Sequence, residues 1–256
     1  MRKGIAEFIP RLTALSGLKE VSLTTNGIYL RDHLEGLRSA GIKRINISLD
    51  TLHREKYEKI TGYDGFNEVC EGIRLARKLK FNPIKINVVV IKGINDDEIL
   101  DFAKLTLKKP YHIRFIEYMP IGVASEKNIL RHVPDSLIKK QLGDLGELIP
   151  VSKNTLDGPA ERFRYQDAPG EVGLISALSN HFCATCNRLR LTPTGNLRAC
   201  LLSDQEIDLR GPMRRGASDN ELAQIFLRAA LTKPHSHYLA SENSILPTGH
   251  MSAIGG

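Results

Sequence analysis

The sequence predicts an α/β fold, a parallel sheet or βα barrel followed by an α+β extension, and three observations predict it. Strand-like and helix-like segments alternate four times before Pro120. Each of those strands keeps one polar face, whereas parallel strands covered by helices on both sides normally read as continuous apolar runs. Beyond Pro120 the alternation gives way to turns, short strands and three of the four cysteines. Residues 1–120 are therefore taken as the βα region and 121–256 as a cysteine-bearing extension.

Ile5 to Leu15 has helical periodicity, although Pro10 should kink or shorten that helix. Val21 to Thr25 predicts a strand ended by Asn26-Gly27, and Leu30 to Ala40 a helix closed by Gly41. Ile45 to Leu49 is the second strand. Leu52 to Ile60 and Phe66 to Lys80 read as helices, the second with Val69, Ile73 and Ala76 on its apolar face and Cys70 beside them as a small buried hydrophobe. Lys85 to Ile91 is a β-branched strand. The run Lys92-Gly-Ile-Asn-Asp-Asp-Glu98 then supplies a glycine turn, an N-cap and acidic first-turn residues for a helix to about Leu107. Tyr111 to Glu117 is the fourth strand. Later segments predict a helix at Asp135 to Leu142, a polar connection, and a strand at Gly173 to Leu178. Two short strands follow, Arg188 to Leu191 and Asn196 to Cys200, hinged at Pro193-Thr-Gly195. Asn220 to Thr232 is one more helix, and Lys233-Pro-His-Ser-His237 reads as loop.

The strand faces carry the first functional inference. Ser22, Thr24 and Asn26, then Asn46, Ser48 and Asp50, Lys85, Asn87 and Val89, and His112 and Arg114 occupy the positions alternate to the apolar ones. With helices on the other face, this side must line a wet lumen or a ligand. Burying Lys85 and Arg114 without a counter-charge costs several kcal/mol each, so an anion is the expected partner. The bland alternative is an internal salt-bridged core with Asp50 and Glu117. A net charge of +7 favours anionic ligands. Aromatic residues make up only 6% and Trp is absent, which argues against nucleic acid. No run of eighteen apolar residues and no signal-peptide core occurs, so a soluble, cytoplasmic protein without membrane contact is expected.

The second inference rests on Ser179-Asn-His-Phe-Cys-Ala-Thr-Cys-Asn-Arg-Leu-Arg-Leu and Cys200. Cys183 and Cys186 are spaced so that one turn brings both sulfurs to one centre, and thiolates suit iron–sulfur clusters or zinc. Three sulfurs leave one iron of a [4Fe–4S] cube without a protein ligand, where a substrate atom could bind. Closed zinc needs a fourth ligand, for which His181 is the candidate, and a redox CxxC is the remaining alternative. Arg188 and Arg190, at alternate positions of an expected strand, would point the same way and suit a phosphate or purine edge.

Taken together, Gly173-Leu-Ile-Ser, Phe182-Cys-Ala-Thr-Cys-Asn-Arg-Leu-Arg-Leu-Thr, Leu197-Arg-Ala-Cys-Leu, Leu23-Thr-Thr-Asn-Gly, Arg44-Ile-Asn-Ile-Ser-Leu-Asp, Lys85-Ile-Asn-Val-Val and Ile113-Arg-Phe-Ile-Glu-Tyr-Met resemble the MoaA family, the GTP 3′,8-cyclases of molybdenum cofactor biosynthesis. The resemblance spans the whole chain. It implies a radical S-adenosylmethionine (SAM) enzyme with an incomplete, TIM-like βα barrel and two [4Fe–4S] clusters. The C-terminal cluster would be held by Cys183, Cys186 and Cys200, its open iron meeting guanine. It further implies GTP contacts at Thr24, Lys85, Arg114, Arg188, Leu189 and Arg190, and SAM contacts at Ser48 and Met119. Gly255-Gly256 matches a tail that reaches the active site. The implied reaction abstracts hydrogen from C3′ of the GTP ribose and closes the sugar onto C8, giving (8S)-3′,8-cyclo-7,8-dihydroguanosine 5′-triphosphate. A homodimer is compatible with the family, and cyclic pyranopterin monophosphate synthase would act next.

One departure is large. The family's CxxxCxxC motif for the SAM-cleaving cluster, and the Gly-Gly-Glu-Pro segment after it, do not occur in these 256 residues, and Cys70 has no second cysteine near it. The chain is therefore expected to be incompetent in SAM cleavage, a shortened or degenerate copy. Two alternatives follow, a catalytically dead nucleotide- or cluster-binding protein and a zinc-bearing RNA-binding protein.

Overall fold

A computed structural model of the chain describes residues 4–119, 121, 129–153 and 157–236. His237 and the Gly255-Gly256 tail lie outside them. The chain divides into two compact units, residues up to 117 with 133–175, and 118–132 with 176 onward. The sequence reading put the boundary at 120. The difference arises because residues after 133 return to extend the sheet.

The first unit is built on a seven-stranded sheet. Its strands are β1 (Ser22–Thr25), β2 (Arg44–Ser48), β3 (Ile84–Val90), β4 (Tyr111–Glu117), β5 (Ile149–Pro150), β6 (Glu161–Arg164) and β7 (Glu171–Ile175). They lie in the order β1-β2-β3-β4-β7-β6-β5. The first five positions are parallel, and β6 and β5 add antiparallel at the end. The four parallel strands and their helices fall within a few residues of the expected bounds. β5 and β6 were missed, because their two and four residues sit in the polar connection without a periodic run.

The helices of this unit are α1 (Ile5–Thr13), α2 (Leu30–Ser39), α3 (Arg54–Thr61), α4 (Phe66–Lys78), α5 (Ile99–Lys108) and α6 (Asp135–Gly143). Pro10 lies inside α1 without ending it. Proline removes only its own donor, and its carbonyl still accepts the Ala14 N–H at 3.1 Å. Leu34 of α2, Val69 and Ala76 of α4, Phe102 of α5 and Leu142 of α6 are fully buried with Ile45, Ile47, Ile86, Ile113, Phe115 and Val172 of the strands in one core. Burial of each such large side chain contributes about 1.5–3 kcal/mol. Phe102 and Phe115 meet edge to face at 6.5 Å. The apolar alternate of every parallel strand is thus consumed by helices, which leaves the polar alternate on the opposite face.

The acidic run before α5 was read as helix capping and does something else. Glu98 is 1% exposed. It accepts from the Thr51 hydroxyl at 2.7 and 2.9 Å and from the Leu52 N–H at 2.6 Å, and it pairs with Lys56 at 2.7 Å. Asn95 donates to the carbonyls of Asp50 and Val89 and accepts the Ile91 N–H. The run therefore ties the chain leaving β2 to the chain leaving β3. α5 itself has no side-chain cap.

The second unit holds a short helical turn at Cys183–Thr185, a three-stranded antiparallel sheet of β8 (Arg190–Leu191), β9 (Asn196–Arg198) and β10 (Ile207–Asp208), and helices α7 (Arg210–Arg214) and α8 (Asp219–Leu231). β10 and α7 were not anticipated. Gly195 turns the β8–β9 hairpin at φ 87°, a left-handed conformation that other residues resist, and a Cβ there would stand 2.7 Å from that of Arg210. α8 opens with a full capping box between Ser218 and Glu221. Its Ala229, Leu222 and Ile225 pack with Leu197, Ile207 and Leu209 as a small core. No helix among the described residues is long and apolar enough to cross a membrane.

Replacing Glu98 with Ala orphans a buried hydroxyl and an N–H and leaves the Lys56 ammonium with Asp97 alone. The expected loss of unfolding free energy is about 2–4 kcal/mol in urea titrations. Glu98→Gln, which keeps an acceptor, should lose less. Wild-type midpoints in both variants would remove the knot from its role.

Candidate functional site

Two sites emerge, one in each unit. On the sheet, register places the polar alternates in rows. Thr24, Asn46, Lys85, His112 and Glu171 are opposed in succession from β1 to β7, and Ser48, Asn87, Arg114, Gly173 and Arg162 form the next row from β2 to β6. Lys85 and Arg114 are thus diagonal neighbours on adjacent strands.

Arg114 is held by amides. Its Nε donates to Asn87 Oδ1 at 2.8 Å and its Nη2 to Asn46 Oδ1 at 2.9 Å, while Asn46 Nδ2 donates to Thr24 Oγ1 at 3.2 Å. Four strands are linked by one neutral chain that fixes a guanidinium. Lys85 differs. It is only 7% exposed, and its ammonium has no hydrogen bond or ion pair to any described residue. Burial pushes it down to about 8, and the charges of Arg114 and Arg44 push the same way against Asp157. Asp50, the alternative partner, instead accepts the Val89 N–H at 2.8 Å. Glu117 accepts the Asp135 N–H at 3.0 Å.

Lys85, His112, Arg114, Asp157, Arg162 and Gly173 line one cavity on this face. Its floor is charge-balanced. Arg162 donates to Glu171 at 2.8 Å and to Asp157, and Arg164 donates to Glu171 at 2.6 Å. Burial raises the Glu171 carboxyl, but those arginines outweigh it and hold the group below the ordinary carboxylate range. His112, with Nδ1 3.4 Å from Glu171, is pushed to about 4 by burial and the neighbouring cations, so it is neutral at physiological pH. The floor can position an anion; Lys85 is the charge still wanting one.

Ser48 stands opposite Asn87 at the end of β2, half-buried. Met119 follows β4 by two residues, half-buried, its carbonyl accepting the Ile121 N–H.

In the second unit Cys186 closes the turn begun by Cys183, its N–H donating to the Cys183 carbonyl at 3.1 Å. All three cysteines are free thiols of intermediate exposure. Burial raises the Cys186 thiol, yet the Arg188 N–H, Lys233 and the Arg188 charge together hold it below the ordinary value. Arg190 feels both Cys186 and Cys200, which oppose the lowering that burial and Arg188 impose on it. The predicted pairing of Arg188 with Arg190 is not made by a strand. β8 begins at Arg190, and Arg188 instead lies over the Phe182 ring at 4.9 Å. Leu189 is 37% exposed and His181 is exposed. No three His, Cys, Asp or Glu side chains among the described residues are gathered as a finished metal site. What fits a cluster is the donor set: three soft, accessible thiols, two of them acting on one arginine, in cationic surroundings that suit a thiolate-held centre.

Sequence reasoning marked Asn46, Asn87 and His112 as polar-facing but gave them no work. It missed Arg162 and Glu171, which lie on or beside the unexpected strand β6, and Lys233, which reads as loop.

The Radical SAM superfamily model matches residues 1–106, and the Molybdenum Cofactor Synthesis C model matches residues 111–239. Proteins named GTP 3′,8-cyclase align along the whole chain. The one from Moorella thermoacetica is 47% identical over 256 residues and 78% of its own length, that from Heliobacterium modesticaldum 46% identical over 79%, and that from Pelotomaculum thermopropionicum 41% identical over 78%. Identity of this degree along every residue shows that the chain belongs to the GTP 3′,8-cyclase (MoaA) family of radical SAM proteins that serve molybdenum cofactor biosynthesis.

Proposed function

We propose that the chain provides the nucleotide-handling part of a GTP 3′,8-cyclase, with the sheet of the first unit belonging to an incomplete βα barrel. The observation that carries this reading is Lys85, a buried ammonium on a hydrophilic sheet face with no hydrogen-bond or ion-pair partner among the described residues. A triphosphate supplies the charge and acceptors that the fold withholds. Arg114, fixed by Asn46 and Asn87, presents a planar fork to the same anion, and Thr24 offers a hydroxyl at the end of that chain of amides. Ser48 and Met119 are assigned to SAM. In the second unit Cys183, Cys186 and Cys200 would hold a [4Fe–4S] cluster whose open iron orients the guanine, with Arg188, Leu189 and Arg190 against the base. SAM with its reducing cluster, when bound, supplies the chemistry that removes hydrogen from ribose C3′. The residues here orient the nucleotide, so that C3′ and C8 are held for ring closure. GTP and SAM are then the partners, and the homodimer and the hand-over to cyclic pyranopterin monophosphate synthase remain family expectations.

One observation favours a narrower reading of these residues taken by themselves. Of four cysteines, three are assigned and Cys70 stands alone on α4, its thiol raised by burial. A second three-thiolate set is not present in this sequence. The 256 residues alone would bind nucleotide and one cluster without cleaving SAM. Zinc is the lesser alternative, favoured only by the CxxC spacing.

Lys85 yields a pH test. Its ammonium is disfavoured in the free fold, so the cost is present below about pH 8 and is relieved as pH rises from about 8 towards 10.5. Lys85→Met should stabilise the unliganded chain at pH 7 by about 1–3 kcal/mol in urea titration and weaken GTP binding at least about tenfold in calorimetry. Phosphate contact should restore the proton, so GTP binding near pH 8.5 should take up protons, read from calorimetry in buffers of different ionisation enthalpy. Unchanged affinity in Lys85→Met, or no proton uptake, would remove Lys85 from the site.

Anaerobic reconstitution tests the second unit. The chain should turn brown and carry about four irons and four sulfides, and Cys200→Ser should lose most of them. Incubation with SAM and a reductant should give no 5′-deoxyadenosine. A colourless chain with stoichiometric zinc would replace the cluster reading, and 5′-deoxyadenosine from this chain would overturn the narrower one.

A further inference from the structure

We propose that Lys233 is a positioning residue for the cysteine centre, its ammonium clipping the segment that bears Cys183 and Cys186 to the one that bears Cys200. This rests on the reading that those three cysteines hold the cluster, and it assigns a role to a residue that stands outside the cysteine motif.

Lys233 Nζ donates to the carbonyl of Arg188 at 2.8 Å and to that of Ala199 at 3.0 Å. Arg188 comes two residues after Cys186, and Ala199 comes immediately before Cys200. One ammonium therefore joins two ligand-bearing segments. The β8–β9 ladder between them is short: only Arg190 with Arg198 and Leu191 with Leu197 are paired. That ladder stops before either Arg188 or Ala199, so Lys233 supplies the cross-link where the ladder has ended.

The geometry of the group suits the task. An ammonium has three hydrogens in tetrahedral directions and no acceptor. Two are committed to carbonyls of different segments. A carbonyl–ammonium–carbonyl bridge fixes the spacing of the two backbones, and with it the placement of the sulfurs on which a cluster's properties depend. The anchor is firm. Lys233 leaves α8 two residues after its end at Leu231, and α8 is seated through Ala229, Leu222 and Ile225 on Leu197 of β9. The stem is thus delivered from a helix docked against the very strand that leads to Cys200. Arginine would not replace it, because a longer, planar fork cannot take the place of a compact ammonium seated between these two carbonyls.

A simple capping role for the helix end predicts something different. Lys233 makes one backbone bond at the α8 terminus, its N–H donating to the Ala230 carbonyl at 3.3 Å, but its side chain reaches away from α8 to residues 34 and 45 positions earlier. Capping would affect stability and leave cluster spectroscopy untouched.

The test compares wild type, Lys233→Met and Lys233→Arg after anaerobic reconstitution of the whole chain. Iron and sulfide per chain, the rate of cluster loss to a chelator, and the electron paramagnetic resonance of the reduced cluster are read alongside thermal unfolding of the cluster-free proteins. Lys233→Met should lose its cluster about tenfold faster, with altered g-values in the loaded fraction, and Lys233→Arg should not restore wild-type behaviour. Amide exchange in the cluster-free chain should rise at residues 188–200. Wild-type retention and spectra in a folded Lys233→Met overturn the clip. Should Lys233→Met fail to fold, wild-type values in Lys233→Arg overturn it instead. If the wild type itself takes up no iron, the reading of the cysteines fails and the inference goes with it.

Discussion

A buried ammonium without a partner among the described residues is the constraint around which the first unit is arranged. Lys85 is opposed by Asn46 and His112 in its own row and lies diagonal to Arg114. None of these can accept its charge, since Asn46 is already engaged with Arg114 and His112 is neutral. The nearby carboxylates are committed elsewhere: Glu171 to Arg162 and Arg164, and Asp157 to Arg162. Such an arrangement lowers the stability of the empty fold, and it persists only if the remaining structure is strong enough to bear it. The continuous apolar core on the other side of the sheet supplies that strength.

The second unit poses the complementary problem with far less core behind it. Three buried apolar side chains and a few half-buried neighbours hold the hairpin, against thirty-two buried members of the first unit's core. Local devices therefore take over: the left-handed Gly195 turn, the capping box of α8, and the buried Arg198, which reaches the Ser203 carbonyl, Glu206 at 3.1 Å and Asp204. A cluster bound by thiolates from both sides of the hairpin would add covalent cross-links where hydrophobic burial is thinnest.

The sequence made the parallel strands legible because period-two alternation there records a physical asymmetry, apolar towards the helices and polar away from them. The alternation marked all of Lys85, Arg114, Thr24 and Ser48 as polar-facing and made Lys85 and Arg114 an anion site, while Thr24 and Ser48 gained roles only from the family resemblance; register brings the four to one face. The pattern fails where strands are too short to show a period. Hence β5, β6 and β10 went unseen, and with β6 went Arg162 beside Glu171. The acidic run at 95–98 was assigned the commonest use of such residues, capping, whereas tertiary contacts with Thr51 and Lys56 took Glu98 into the interior. Arg188 shows the reverse error. Alternation implied a strand, but the turn at Cys183 delays β8 until Arg190, and the guanidinium finds the Phe182 ring instead.

Charge connects the two sites without any appeal to how the units are disposed. The first leaves a cation wanting an anion; the second gathers Arg188, Arg190 and Lys233 about thiols that would become anions on binding iron, as proposed above. Each is electrostatically incomplete in the same direction, and the chain's net charge of +7 has the same sign. On the proposed reading a nucleotide triphosphate would satisfy the first and a thiolate-bound cluster the second. Neither demand could be met by the other's ligand: a hard, multiply charged phosphate has no use for three soft sulfurs, and an iron cluster has no use for an amide-fixed arginine and a lone lysine. On the proposed reading the residues therefore ask for two different guests, each matched to the chemistry of its own unit.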